Sequence, residues 1–134
     1  MKELDEFNFP EDLKYSETHE WARFEGDKVI VGITDYAQDH LGDLTFIELP
    51  QEGDVFQKGE ECGTLESTKA VSEIFMPVSG EILAVNVALG ESPGLVNSDP
   101  YGGGWLLEFK PENKEDIDAL LTATAYRATL EGLE

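Results

Sequence analysis

Residues 60–76 read EECGTLESTKAVSEIFM, two β-prone runs set on either side of Ser67-Thr68-Lys69-Ala70. Between positions 59 and 76 the only basic residue is Lys69, amid Glu60, Glu61, Glu66 and Glu73. Turn chemistry does not single it out, because no Asn-Gly, Asp-Gly or Pro falls at 67–70. On local physics alone, Lys69 is a solvated lysine on a β-turn, which is where most lysines belong.

Working outward, residues 13–110 are dominated by short β candidates. EWARF (20–24) and KVIVGI (28–33) flank Glu25-Gly26-Asp27, a loop suited to a hairpin. TDYAQDHL (34–41) fits one or two helical turns with Thr34 as N-cap. DLTFIEL (43–49) resumes a strand and ends at Pro50, where ladder donation stops. GEILAVNVAL (80–89) is the longest β candidate and is apolar on both faces, which predicts a strand covered on both sides. WLLEFK (105–110) alternates Trp105, Leu107 and Phe109 with Leu106, Glu108 and Lys110. Beyond it, NKEDIDALL (113–121) predicts a helix capped by Asn113, and TATAYRATLEGL (122–133) a second one capped by Thr122 or Thr124. Strands followed by helices predict one domain over 1–134, with a β body at about 13–110 and a helical cover at about 113–132.

A weak internal echo brackets Lys69. Gly42-Asp43-Leu44, Ile47, Leu49 and Gly53-Asp54 recur as Gly80-Glu81-Ile82, Val85, Val87 and Gly90-Glu91. Two similar β units around a central hairpin would produce this pattern.

Composition narrows the function classes. Nine Lys plus Arg stand against 29 Asp plus Glu, a formal charge of −20. Such a surface repels nucleic-acid phosphates and anionic lipid, and steers partners with basic docking surfaces toward it. The single cysteine, Cys62, excludes an intrachain disulfide and a thiolate-rich zinc site, and reads as a small buried hydrophobe. His19 and His40 are the only histidines and lie in no metal-binding spacing. DPYGGGW (99–105) lacks the Lys-Ser/Thr of a phosphate loop and reads as a tight loop. No apolar run reaches bilayer-spanning length, and the N-terminus lacks a signal core. The expectation is a cytoplasmic chain (matrix, if a processed mitochondrial one), monomeric, without nucleic-acid or membrane partners.

ESTKA between two β units resembles the attachment hairpin of lipoyl domains. Four further segments, EDLKYSETHEWAR (11–23), VGITDYAQDHLGD (31–43), ELPQEGD (48–54) and LVNSDPYGGGWL (95–106), together with the hairpin's longer frame ESTKAVSEIFMPVSGEI (66–82), are similar in order to the H proteins of the glycine cleavage system. Biotinyl domains share the architecture but flank their lysine with methionines, whereas Thr68 and Ala70 stand here. The resemblance implies a mainly β barrel-sandwich hybrid, a lipoyl-domain-like flattened β-barrel with short C-terminal helices. It also implies lipoate amidated to Lys69, with Glu66 and Ser67 read by the lipoate-attaching enzyme. Thr18, Glu20, His40 and Glu73 match positions of a cleft that stores the arm loaded with a protonatable aminomethyl group. Glu73 stands where the family often has Asp, and its longer stem should alter that geometry.

On this reading the chain is a carrier, not an enzyme. It shuttles between a pyridoxal-phosphate glycine decarboxylase, an aminomethyltransferase and a dihydrolipoyl dehydrogenase. The alternatives are a relay that passes lipoyl groups to other proteins and an unmodified interaction module that keeps only the fold.

Overall fold

The computed structural model describes residues 4–132; the last position of the expected second C-terminal helix, Leu133, lies outside them. Among the described residues, nine strands make two sheets. A six-stranded sheet runs in the order β1 (Lys14–Tyr15), β2 (Glu20–Glu25), β3 (Lys28–Ile33), β9 (Leu107–Pro111), β8 (Gly80–Val85) and β5 (Val55–Phe56). A three-stranded sheet runs β4 (Leu44–Glu48), β6 (Glu61–Ser67), β7 (Val71–Phe75). All pairings are antiparallel. The result is the barrel-sandwich, lipoyl-domain-like architecture with helices at the C-terminal end.

The β2–β3 hairpin forms where expected, but its loop is only Gly26-Asp27, because Glu25 pairs with Lys28. Gly26 takes the positive φ, +63°, that a two-residue turn demands. Successive residues of these strands serve different cores, as the two-residue period dictates. Ala22, Val29, Val31 and Ile33 join Leu65, Ile74, Ile82 and Phe109 in the core shared by the two sheets. Trp21 and Ile30 face outward and are covered by Leu4, Phe7, Tyr15, Tyr126 and Leu130. Trp21 lies flat across its register partner Gly32: a Cβ there would come within 2.6 Å of the indole, so only glycine fits.

The outer core explains the helical cover. Helix α3 (Ala123–Glu131) is capped by Thr122, whose side chain accepts from the Ala125 N–H. Tyr126 stacks on Tyr15 at 4.9 Å between ring centroids, and Phe9 meets Tyr126 edge-on at 5.4 Å. Asn113 also caps as expected, but Lys114–Ala119 is a 3-10 helix, not an α-helix. It is followed at Leu121 by an antiparallel bridge to Tyr15.

GEILAVNVAL is shorter as a strand than its apolar pattern predicts. β8 stops at Val85, and Asn86 then caps a 3-10 turn at Val87–Gly90. The buried Asn86 amide donates to the carbonyls of Gly103 and Trp105, and these bonds turn the chain out of the sheet. Leu83, within β8, and Val87, beyond it, are exposed, so the strand is not covered on both faces. The echo likewise places β4 and β8 in different sheets, after which the units diverge. Gly53, at φ +91°, turns the chain before β5, whereas Gly90 ends the 3-10 turn that precedes the short helix α2 (Leu95–Ser98). The three glycines of 99–105 do form a tight loop, held by the Gly103 N–H donating to Asp99 Oδ2 at 2.8 Å.

Candidate functional site

Lys69 sits in the turn that joins β6 to β7, and it is exposed. Ser67 builds this turn. Its backbone N–H donates to the Ala70 carbonyl at 2.8 Å, while its hydroxyl accepts from the N–H groups of Lys69 (3.2 Å) and Ala70 (3.0 Å). A hydroxyl closing its own turn replaces the Gly or Pro that a turn signal would supply. Glu66 pairs with Val71 in the last register position before the turn. Among the described residues Lys69 makes no ion pair.

The lysine stem rests on helix α1 (Asp35–Leu41). A Cβ on Gly42 would lie 3.1 Å from Lys69 Cε, so the side chain crosses the place where a bulkier residue would stand. Gly42 is the C-cap, at φ +81°, and its N–H donates to the Gln38 carbonyl. The Lys69 charge thus lies by the negative end of the helix. At the other end, Thr34 caps α1 by accepting from the Ala37 N–H at 3.2 Å.

Thr18, Glu20, His40 and Glu73 line one pocket of about 240 Å³, together with His19, Ile33, Tyr36, Ala37, Leu41, Leu65 and Ser72. The four positions come from a hairpin turn, the start of β2, the end of α1 and the edge strand β7. A larger cavity of about 370 Å³ shares Thr18 but is lined by Lys58 and the exposed Glu17. The buried carboxylate belongs to the smaller pocket, so chemistry favours it over size.

Glu20 is 1% exposed. Its Oε1 accepts from Ser16 Oγ at 2.6 Å and from the Thr18 hydroxyl, and Oε2 accepts from the Phe75 N–H at 3.4 Å. Burial pushes its carboxyl up to about 7, and these hydrogen bonds oppose the shift without cancelling it. No cation neutralises Glu20 among the described residues. It is a buried acid facing a pocket, poised near neutrality.

His19 completes the pocket wall. Its backbone takes φ +74°, a left-handed conformation uncommon for a non-glycine residue. The bend lets Ser16 and Glu20 close the β1–β2 turn through the Ser16 N–H to the Glu20 carbonyl at 2.9 Å. The His19 ring shares a 2.7 Å hydrogen bond between Nδ1 and the Tyr126 hydroxyl, which also bonds Thr34 Oγ1 at 2.9 Å. Burial, aided by nearby His40, lowers the His19 pKa and favours the neutral ring. Tyr36 lies between His19 and His40, with centroid separations of 5.3 and 4.1 Å. Tyr36 and the two histidines give the pocket an aromatic surface and Glu20 gives it a buried carboxylate, a combination suited to a small organic cation.

Sequence reasoning does not select Ser16, Tyr36, Ser72 or Tyr126. Ser16 has a local signal in the spacing Ser16, Thr18, Glu20. Tyr126 has none, since its partners His19 and Thr34 are distant along the chain.

A lysine on the hairpin tip of a small two-sheet β body is the arrangement of lipoyl and biotinyl carrier domains, and Thr68 and Ala70 on either side of Lys69 place this chain with the lipoyl class. The family model described as Glycine cleavage H-protein matches residues 13–132. A glycine cleavage system H protein of Bacteroides fragilis is 52% identical over 123 residues, covering 92% of this chain and 98% of the relative. One from Thermus thermophilus is 53% identical over 124 residues, covering 92% and 97%. The crystal structure of a glycine cleavage system H protein from Mycobacterium marinum superposes with a TM-score of 0.84 at 41% identity, covering 92% and 99%. The chain belongs to the glycine cleavage H-protein family. It is a lipoyl-bearing shuttle of the glycine cleavage system, a carrier without catalysis of its own. The family carries lipoate on a lysine and works with the P-, T- and L-proteins of that system.

Proposed function

We propose that Lys69 is the residue that bears lipoate and that the pocket beside α1 stores the loaded arm. The observation that carries this reading is one of position. Lys69 is exposed, and its stem crosses Gly42 at the end of α1, the helix whose His40 and Tyr36 line the pocket. The residues fit the group. Amidation removes a charge that no carboxylate among the described residues holds, and the turn around Lys69 is closed by Ser67 without help from the amine.

Once attached, lipoate supplies a dithiolane that takes up electrons and an aminomethyl group at one partner and yields them at others. Holding and shielding the loaded arm falls to the chain's own residues. Glu20 and Glu73 offer carboxylates to a cationic amine. Ile33, Leu41 and Leu65 exclude water from the pocket, which slows hydrolysis of what it holds. His19 and Tyr36 give the cation an aromatic face. Ser67 shapes the turn that an attaching enzyme must recognise, and Glu66 stands at its base. The partners on this reading are a pyridoxal-phosphate glycine decarboxylase, an aminomethyltransferase, a dihydrolipoyl dehydrogenase and the lipoate-attaching enzymes. The chain acts as a monomer in their compartment, the cytoplasm or a mitochondrial matrix.

Intact-mass measurement after incubation with a lipoate–protein ligase tests the anchor, and glycine-dependent CO2 exchange with the decarboxylase tests the shuttle. Lys69→Arg should abolish both adduct and exchange while leaving the β scaffold folded. An adduct or exchange retained in that variant refutes the assignment.

A further inference from the structure

The outward face of the three-stranded sheet is built unlike the rest of the surface. In the register of β4, β6 and β7, Phe46 stands opposite Glu66 and Glu66 opposite Val71. Residues facing each other across antiparallel strands project to the same side, so the three form one row. Their neighbours point inward: Leu65 is buried and Ile47 packs on the core. Phe46 is 53% exposed and Val71 64%, two large apolar groups flanking a carboxylate. The next row out is Glu48, Thr64 and Glu73, polar throughout. The apolar row is also the last one before the Lys69 turn.

We propose that the Phe46–Glu66–Val71 row is the docking surface for the enzyme that attaches lipoate to this chain, a protein presenting an apolar patch bordered by Arg or Lys. The proposal rests on Lys69 being the anchor. Reach is the first argument for that occupant. Attachment joins Nζ of Lys69 to the carboxyl carbon of an adenylate that the enzyme makes from lipoate and ATP. AMP leaves with the bonding electron pair, and the nitrogen gives up a proton as the amide forms. The enzyme must therefore bring its active site to the end of a short four-carbon stem, and its surface then covers the strands beside the turn. Partners acting on the far end of the finished arm have no such need.

Charge is the second argument. Glu66 stands between the two apolar groups and Glu48 and Glu73 stand in the next row, while Lys69, at the turn beyond, enters the enzyme's active site during the reaction. A basic rim therefore meets only opposite charge, and the formal charge of −20 steers the encounter. The apolar centre within a charged rim follows the anatomy of protein interfaces.

The test uses the full unmodified chain, a lipoate–protein ligase, lipoate and ATP, with intact mass as readout at varied carrier concentration. Phe46→Thr and Val71→Thr keep strand propensity and remove apolar contact area. Each should raise the KM for the carrier about tenfold, the scale of one interface anchor, with kcat held. Urea midpoints close to wild type show that both variants fold, and Phe46→Leu, which keeps the apolar contact, should restore KM. All variants are then lipoylated to completion and assayed in glycine-dependent CO2 exchange, where their KM should match wild type. An unchanged ligation KM overturns the proposal. So does an equal rise of KM in the exchange assay, which would assign the row to the decarboxylase. A wild-type chain that gains no adduct, or a Lys69→Arg chain that does, removes instead the anchor reading on which the proposal stands.

Discussion

Replacing Glu20 by glutamine removes a charge from the pocket while keeping the length of the side chain. Burial raises the Glu20 carboxyl from its ordinary 4.5 to about 7. Each tenfold gain in proton affinity is worth about 1.4 kcal/mol, so the folded chain prefers the protonated acid by roughly 3 kcal/mol. The folded chain holds this proton between pH 4.5 and 7, and the unfolded chain does not. Glu20's contribution to stability is thus fully present below pH 4.5 and is lost as pH rises through about 7. At about pH 8 the ionised, unneutralised carboxylate costs the unloaded protein about 3 kcal/mol relative to an uncharged group.

Glutamine escapes that cost but introduces a smaller one. With its oxygen turned to the Ser16 and Thr18 hydroxyls, its amide nitrogen faces the Phe75 N–H, now a mismatch of two donors. Losing one weak hydrogen bond takes back about 1 kcal/mol. Glu20→Gln should therefore stabilise the unloaded chain by about 2 kcal/mol at about pH 8 and give no gain at about pH 4.5. Urea unfolding of both proteins at a series of pH values measures this. Every other carboxylate titrates in both chains and cancels in the difference. A difference that does not change with pH, or a variant less stable than wild type at the alkaline end, refutes the view of Glu20 as a strained acid awaiting a cation.

On the proposed reading, the same carboxylate holds the cationic amine of the loaded arm. A cationic amine binds the ionised form, so its affinity should fall about tenfold for each pH unit below about 7. Release of ammonia from the loaded protein should accelerate correspondingly as pH drops, and the Glu20→Gln protein should lack that dependence. Tyr126→Phe keeps the ring stack on Tyr15 but unpairs His19 Nδ1 and one bond of Thr34. A loss of about 1–3 kcal/mol is expected, read as a lower urea midpoint at unchanged slope. Gly42→Ala forces a Cβ into a positive-φ position 3.1 Å from Lys69 Cε. It should cost about 1–2 kcal/mol and slow lipoylation by displacing the lysine stem, measured by unfolding and by the initial rate of mass gain.

How much of this structure is legible in the sequence depends on the range of each interaction. The β2–β3 hairpin, the Thr34, Asn113 and Thr122 caps and the strand before Pro50 are local, and local signals locate them. GEILAVNVAL reads too long as a strand because Val85, Val87 and Leu89 continue the strand period. What ends the strand is Asn86, whose partners Gly103 and Trp105 lie well downstream. The 3-10 geometry at Lys114–Ala119 is a choice between two helical forms that an apolar face does not distinguish. Lys69 carries no turn signal, since its turn is closed by a serine hydroxyl; its isolation among acids and the bracketing echo draw attention to it, and the family resemblance gives it a role. Thr18, Glu20, His40 and Glu73 also come from resemblance, and the fold places them around one pocket. The His19–Tyr126–Thr34 network is illegible because a histidine in a left-handed turn and a tyrosine on the last helix share no pattern.

Helix α1 touches both the Lys69 stem and the pocket. A seven-residue helix would be marginal alone, so its order comes from ties at both ends. At the start, Thr34 is held by Tyr126 of α3. At the end, the Gly42 carbonyl accepts from Asn97 Nδ2 at 2.9 Å, and Gly42 itself carries the Lys69 stem. Tyr36 and His40, between those ends, form the pocket wall. On the proposed reading, the helix that lines the storage pocket is also the one that the Lys69 stem crosses on leaving the β6–β7 turn. Storage on that reading freezes mainly the arm's own torsions, which keeps its entropic cost low. The C-terminal cover acquires a role beyond burying Tyr15. Through one hydroxyl, Tyr126 of α3 ties Thr34, the N-cap of α1, to His19 of the pocket wall.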